Sequence, residues 1–115
     1  MPKIKALIRI ENEEGKEELE VNAILESQIL KYKDNKAITK LNYKVPEIIR
    51  ENEEYKIIYP FNKEKKTTGT ILVKDINQLI SVEITTKKLV INEHNVQIEY
   101  IVNNQKFIFE AEVIK

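Results

Sequence analysis

The sequence predicts an all-β protein, a single antiparallel meander that closes into a barrel of eight or nine strands. Apolar and polar residues alternate with a period of two along most of the chain, which is typical of strands with one buried face. Short turn signals such as Asp34-Asn35 and Asn103-Asn104 separate these runs. No helical pattern is long enough for a βαβ crossover, so sequential strands are expected to pair antiparallel. A barrel is favoured over a sandwich because closure removes exposed edges.

The composition predicts one globular domain spanning residues 1–115, with 19 basic and 19 acidic side chains and no cysteine. Zero net charge argues against nucleic acid or an anionic membrane as the partner. Without cysteine, disulfides and thiolate metal sites are excluded. The first ten residues lack the uninterrupted apolar run of a signal peptide, so the cytoplasm is the expected location.

The first third of the chain predicts a hairpin followed by a bent strand. Residues 4–10 alternate, Glu13-Glu14-Gly15 supplies a turn, and residues 19–25 alternate again. The apolar parity then changes near Ser27, which predicts a β-bulge in one long strand. A helix over residues 17–32 is the competing interpretation, since apolar residues four apart also recur there.

The central segment predicts three shorter strands. Residues 41–45 alternate, and the segment 46–53, which opens on a proline, predicts either a short edge strand or one helical turn. Residues 57–61 form the next strand. Residues 67–73 form another, with Gly69 inside it indicating a bulge or a tight bend.

The last third contains the clearest strands. Asp75-Ile76-Asn77 turns the chain, and residues 80–91 alternate with a phase slip at 85–88 that predicts a second bulge. Residues 96–102 and 107–113 then alternate strictly, and Asn103-Asn104 between them predicts a type I′ turn.

Catalytic chemistry has little support in the sequence. His94 is the single histidine and is expected in a solvated loop, Asn92–Asn95, so a two-histidine metal site is excluded. Neighbouring acidic residues on a strand, such as Glu17-Glu18, point to opposite faces and cannot share a substrate. Phosphate-binding and nucleophile motifs are absent. We predict no enzyme, no cofactor and no metal site; an anion site at the basic loop 62–66 is an alternative.

Several polar side chains fall on the inward parity or near a phase change and are expected to enter the barrel. A buried hydroxyl needs a partner, so two interpretations stay open: a satisfied polar cluster and a small-molecule pocket. In the second, an arginine pairs with the anionic group of a partly apolar ligand and the hydroxyls orient it. The candidate ligand-binding residues are Arg50, Tyr59, Thr68, Thr86 and Tyr100.

The alternative function is a non-enzymatic interaction or structural module that acts through its outer face or as a homo-oligomer. Apolar residues on the outward parity would then form the interface patch. These residues are Leu7, Ile58, Ile101 and Ile108.

From Ile48 onward, the order of features resembles one known family. An Ile-Ile-Arg segment is followed by the motifs Ile57–Phe61, Thr67–Gly69, Thr85–Leu89 and Val96–Tyr100. This order is similar to the YwiB-like family of uncharacterised bacterial β-barrel proteins, a domain of unknown function. The resemblance implies a calycin-type, lipocalin-like barrel and, by analogy of fold, small-ligand binding. It implies no activity, cofactor or catalytic residue.

Overall fold

The structure, a computed structural model, describes residues 3–92 and 94–114. These residues form ten antiparallel β-strands, each paired with its neighbours in sequence, and β1 pairs with β10 to close the barrel. They contain no helix of the length and apolarity that crossing a membrane requires. The strands are β1 (Lys3–Asn12), β2 (Gly15–Glu26), β3 (Ile29–Lys33), β4 (Ile38–Asn42), β5 (Glu47–Glu51), β6 (Tyr55–Pro60), β7 (Thr67–Val73), β8 (Gln78–Ile91), β9 (Asn95–Val102) and β10 (Gln105–Val113).

The predicted closed meander is confirmed, and its alternation places the core inside. Ile98 on β9, for example, is fully buried and lies opposite Leu89 on β8 and Phe109 on β10. The buried apolar core consists of Ala6, Ile8, Val21, Ala23, Leu30, Tyr32, Leu41, Ile48, Phe61, Val82, Ile84, Val96, Ile98, Val102, Phe109 and Ala111.

The parity change near Ser27 is a hairpin turn, so the predicted bulge in one long strand was wrong. Ser27 and Gln28 have φ angles of 53° and 64°, and β2 and β3 pair across them from Glu26 opposite Ile29. Two consecutive positive φ values are characteristic of a type I′ turn. This extra hairpin helps raise the strand number above the predicted eight or nine. The competing helix over residues 17–32 is wrong as well.

The segment 46–53 contains a strand inside the sheet and neither an edge strand nor a helical turn. Strand β5 pairs with β4 on one side and with β6 on the other. Pro46 precedes the strand, where its missing N–H is not needed, and its carbonyl accepts a hydrogen bond from the backbone N–H of Phe61 at 2.9 Å.

Gly69 marks close packing, and the predicted bulge at this position was wrong. The register of β7 with β8 runs through Gly69 without a shift. A Cβ atom there would lie 2.7 Å from Cδ1 of Tyr59 and 2.8 Å from Cδ1 of Ile84. The missing side chain therefore makes room for Tyr59 inside the barrel.

Two features of the second half are confirmed. The register of β8 with β9 shifts between Thr86 and Lys88, where the phase slip predicts a bulge. Asn103 and Asn104 have φ angles of 53° and 64°, as a type I′ turn requires. In the loop Asn92–Asn95, Glu93 lies outside the described residues, as do Met1 and Pro2 of the opening segment.

Six loops among the described residues share one stabilising device, an Asn or Asp at the end of a strand. Its side-chain Oδ1 accepts hydrogen bonds from backbone N–H groups two or three residues later, as in an Asx turn. Asp34, for example, binds the N–H groups of Lys36 and Ala37 at 2.7 and 2.9 Å. Asp34-Asn35 thus opens a four-residue loop, not the predicted two-residue turn. The six residues are Asn12, Asp34, Asn42, Asn52, Asn62 and Asn92.

The barrel has two ends, which are named here after one residue in each. The Arg50 end carries the turns that follow β1, β3, β5, β7 and β9. The Tyr43 end carries the turns that follow β2, β4, β6 and β8, together with the start of β1 and the end of β10.

Candidate functional site

The structure brings four of the five predicted ligand-binding residues to the interior. Arg50, Tyr59, Thr86 and Tyr100 share the inward face of their strands with core residues. Thr68 is exposed and lies opposite Glu83, whereas its neighbour Gly69 is buried. Because β7 has no bulge at Gly69, strict alternation places Thr68 on the outer face, contrary to the prediction.

Thr86 has a structural partner. Its hydroxyl oxygen accepts a hydrogen bond from the backbone N–H of Asn62 at 3.2 Å, and its side chain is 6% exposed. This bond ties the loop after β6 to β8 at the bulge. At this position the structure favours the satisfied polar cluster.

Arg50 makes two long contacts, with Thr39 and Asp34, and also interacts with the hydroxyl of Tyr55. Its Nη1 donates to the Thr39 hydroxyl at 3.3 Å, and its Nη2 lies 3.5 Å from Oδ2 of Asp34. A well-formed charge-assisted bond of this kind is about 2.7–2.9 Å long. A guanidinium has more N–H donors than its contacts with Thr39, Asp34 and Tyr55 use, and the Arg50 side chain is 20% exposed. Arg50 therefore keeps donor capacity for an incoming anion.

Arg50 stays charged in this environment. Burial lowers the pKa of its guanidinium, but a hydrogen bond with Tyr55 and the charge of Asp34 outweigh that effect and raise the pKa overall. Asp34 itself is fixed by its turn, since its Oδ1 accepts the two backbone bonds already described. The pair is thus a charged, anchored feature of the Arg50 end.

The hydroxyl of Tyr32 lies beside this pair and makes no hydrogen bond of acceptable geometry with the described residues. Burial raises the pKa of this hydroxyl, and the nearby Thr39 hydroxyl counters part of the rise. Tyr32 is 2% exposed. An unpaired buried polar group costs about 1–3 kcal/mol, so a ligand or water that bonds to it would be stabilised.

An aromatic cluster on the inward face of the barrel lies within electrostatic range of Arg50. The ring of Tyr100 stacks on Phe107 with centroids 5.4 Å apart and contacts Phe61 at 4.9 Å and Tyr59 edge-on at 6.0 Å. Burial raises the pKa of Tyr100 well above its ordinary value, while the charge of Arg50 acts in the opposite direction. The cluster offers an apolar aromatic surface within electrostatic range of a cation.

Several inward-facing side chains in the register row of Arg50 remain accessible to solvent. Arg50 lies in a register row with Ile57, Ile71 and Ile80, which face the interior on β6, β7 and β8. Three of these residues, Arg50, Ile57 and Ile71, are partly exposed, and Ile80 is 39% exposed. Inward-facing side chains that remain accessible can contact a small molecule.

The opposite end contains a cavity of about 610 Å³ that the sequence does not predict. Tyr43 extends the inward parity of Leu41 beyond the end of β4, and this parity was the available signal. His94, expected in a solvated loop, is exposed between β8 and β9 and also borders the cavity. The lining residues are Ile4, Leu25, Gln28, Tyr43, Ile91, Asn92, His94 and Val113.

The structure also bears on two other candidate sites, a metal site and the predicted outward apolar patch. No group of three or more His, Asp or Glu side chains that could hold a metal ion is found within residues 3–92 and 94–114. The predicted outward patch does not form one surface, because charged or polar residues lie opposite Leu7, Ile101 and Ile108 on the adjacent strands.

Comparison with known proteins gives a fold similarity of limited strength. No family model matches the sequence, and no curated protein matches it. The structure is similar to the crystal structure of the YwiB protein from Bacillus subtilis, with a TM-score of 0.40 and 10% sequence identity over 98% of this chain and 91% of that chain. At this identity and score, the similarity transfers neither a ligand nor an activity.

Proposed function

We propose that the protein binds a small, anionic and partly apolar ligand at the Arg50 end of the barrel interior. The observation that carries this proposal is the guanidinium of Arg50, which lies inside the barrel, is partly exposed and contacts its partners at 3.3 and 3.5 Å. The ligand chemistry that fits is a carboxylate attached to an apolar or aromatic body.

The carboxylate would contact Arg50 at shorter distance than Asp34 does. Oδ1 of Asp34 is committed to the turn, which prevents its Oδ2 from moving freely toward the guanidinium. A mobile carboxylate can instead adopt the bidentate geometry that arginine favours. The unpaired hydroxyl of Tyr32 offers one further donor beside the same group.

The apolar body would contact the aromatic cluster and the accessible part of the register row. Tyr59 follows Ile57 on the same inward face of β6 and its ring contacts Tyr100, while Ile71 lies opposite Ile57 on β7. Covering accessible apolar surface contributes roughly 25 cal/mol per Å².

The calycin-type, lipocalin-like classification within the YwiB-like family is part of the proposal. Its support is the order of motifs from Ile48 to the closing strand and the closed antiparallel meander. Location in the cytoplasm and the absence of nucleic-acid and membrane partners also belong to the proposal, on the composition alone.

The test is a titration with benzoate, monitored by NMR chemical shifts of the whole protein. Arg50→Met should weaken benzoate binding about tenfold or more, because it removes a charged hydrogen bond. Asp34→Asn should strengthen binding, since it keeps the Oδ1 acceptor for the turn and removes the competing charge. Arg9→Met is the matched control, because Arg9 pairs with Glu18 at 2.8 Å on the outer face.

The proposal fails if benzoate produces no saturable shifts, or if folded Arg50→Met binds it as the wild type does. Weaker binding by Asp34→Asn would indicate that Asp34 and Arg50 form a structural pair.

We propose self-association through the outer face of β5–β8 as the second candidate function. Leu79 is 65% exposed opposite Leu72, and Ile49 lies opposite Ile58 on the same outer face. Sedimentation at increasing concentration should show a dimer that Leu79→Lys disrupts. A monomer at every concentration would contradict this candidate.

A further inference from the structure

We propose that the cavity at the Tyr43 end is a second, separate binding site, which takes an uncharged, largely apolar small molecule with one hydrogen-bonding group. Its volume of about 610 Å³ suits a small organic ligand, for which pockets of roughly 300–1,000 Å³ are usual. Its lining contains none of Arg50, Thr39 and Asp34, which interact with one another at the Arg50 end.

Backbone hydrogen bonds between separate elements form the rim of this cavity. The N–H of Tyr43 donates to the carbonyl of Gln28 at 2.9 Å, which joins the turns after β4 and β2. The N–H of Val113 donates to the carbonyl of His94 at 2.8 Å, which joins the end of β10 to the β8–β9 loop. The rim is therefore held by the fold and is preformed for a ligand.

The wall of the cavity is apolar and accessible. Four apolar residues of the lining face the barrel interior and yet are partly exposed. They are Ile4, Leu25, Ile91 and Val113. In the register row of Leu25, Leu30 and Leu41 are fully buried, so this side of the cavity ends on packed core. An apolar ligand would cover the exposed faces of the wall residues without disturbing that core.

The polar groups of the cavity are neutral amides, a phenol and an imidazole. None of its described lining residues is Asp, Glu, Lys or Arg. An ionised ligand group that enters an apolar space without a counter-charge loses hydration that nothing restores, so the described part of the lining favours an uncharged ligand. The Arg50 end, with its cation, has the opposite preference.

The side-chain amide of Asn92 is available as a hydrogen-bond donor to a ligand. Oδ1 of Asn92 accepts the N–H groups of His94 and Asn95 at 3.1 and 2.9 Å. The part of this amide that remains for a ligand is therefore its N–H₂ donor. Together with the Tyr43 hydroxyl, it suits a ligand whose polar group accepts hydrogen bonds, such as a ketone, an ester or an ether.

The experiment is a fluorescence titration of the full chain with 6-propionyl-2-dimethylaminonaphthalene, an uncharged aromatic ketone whose emission shifts to the blue in apolar surroundings. Leu25→Trp should fill the cavity and weaken binding at least tenfold. Leu19→Trp is the matched control, because Leu19 lies on the same face of β2, is also partly buried and stands nearer the Arg50 end. The control should bind the ketone as the wild type does.

A second measurement on the wild type removes any dependence on how Leu25→Trp folds. Chemical shifts of the backbone amides of Tyr43, Asn92 and Val113 should change on addition of the ketone, and that of Arg50 should not. Saturating benzoate should leave the affinity for the ketone unchanged, which separates this site from the proposed function. Absence of saturable binding, shifts confined to the Arg50 end, or equal binding by both tryptophan variants would overturn the proposal.

Discussion

Two walls of the barrel share the same alternation of inward and outward residues but differ in burial. The dense wall consists of β9, β10 and β1, and the open wall consists of β5, β6 and β7. In the open wall, Arg50, Ile57 and Ile71 face the interior and remain partly exposed. In the dense wall, the inward residues that are 2% exposed or less are Ala6, Ile8, Val96, Ile98 and Ala111.

The difference shows that alternation decides which way a side chain faces, while the neighbouring elements decide whether it is buried. Close-packed contacts on the dense wall supply stability. The open wall carries Arg50, whose guanidinium pairs with Asp34 of the β3–β4 loop and lies near the hydroxyl of Tyr32 on β3. A stable core avoids such groups. We infer that the closely packed middle of the dense wall supports the fold and that the open wall is available for the anionic ligand. The Tyr43-end cavity meets the dense wall only at the ends of β1 and β10, at Ile4 and Val113.

The largest expected effect compares one isoleucine from each wall. Ile98→Ala should lower the free energy of unfolding by about 3 kcal/mol, because the cavity forms in a closed core where nothing can relax into it. Ile57→Ala should lower it by about 1 kcal/mol, since part of that side chain is already in water. Urea unfolding measures both, and equal losses would contradict the distinction between the walls.

A substitution at Gly69 tests whether side chains are loosely packed along the whole open wall. Gly69→Ala should lower the free energy of unfolding by about 2 kcal/mol, because the new methyl group would lie 3.1 Å from the carbonyl oxygen of Ile58 as well as against Tyr59 and Ile84. Gly15→Ala is the control and should be neutral or slightly stabilising, since nothing lies within 4 Å of its added Cβ. An unchanged stability of Gly69→Ala would show that the Tyr59 ring moves easily.

The ring of Tyr100 contacts Phe107 on the dense wall and Tyr59 on the open wall. Because its hydroxyl is buried, we expect the protein to lose stability at alkaline pH. Burial raises the pKa of Tyr100 in the folded state above the value of 10.0 for the unfolded chain. The unfolded state therefore releases the proton first, so this contribution is complete below pH 10 and declines as the pH rises toward the folded-state pKa. Tyr100→Phe should reduce the loss between pH 9 and pH 11 by about 1 kcal/mol in urea unfolding. Identical pH profiles for both proteins would contradict the burial of this hydroxyl.

The smallest effect concerns the two type I′ turns, of which the β2–β3 turn borders the Tyr43-end cavity. Ser27→Asn combined with Gln28→Gly should raise the free energy of unfolding by about 1 kcal/mol, because both positions have positive φ. Asn104→Gly should give a smaller gain, since asparagine already tolerates this conformation. Thermal unfolding measures both; a larger gain at Asn104 would contradict the assignment of strain to Ser27 and Gln28.

These turns also show why one hairpin could be predicted and the other could not. Asn103-Asn104 and Ser27-Gln28 have the same pair of φ angles, 53° and 64°. Asparagine side chains favour positive φ, whereas serine and glutamine have no such preference, and their turn was mistaken for a bulge. Tertiary pairing of β2 with β3 stabilises the turn in place of a local signal.

The candidate site was predictable only in part, for a related reason. Alternation predicts that Tyr59 and Tyr100 face inward, and the structure confirms those orientations. Arg50, a candidate because it ends an Ile-Ile-Arg segment, shares the inward face of β5 with Ile48. Alternation does not reveal Asp34 and Tyr32 as neighbours of Arg50, because they approach from β3 and the turn that follows it. Thr68 was misplaced because the glycine beside it was interpreted as a break in parity.

The sequence by itself determined the all-β class, the facing of most strand residues, the bulge at Thr86–Lys88 and the turn at Asn103-Asn104. These features depend on side chains within a few residues of one another, so a local pattern is enough to predict them. Only the tertiary structure decided the pairing of β1 with β10, the burial of each wall and the cavity at the Tyr43 end. Each of these depends on segments far apart in the chain that meet when the sheet closes.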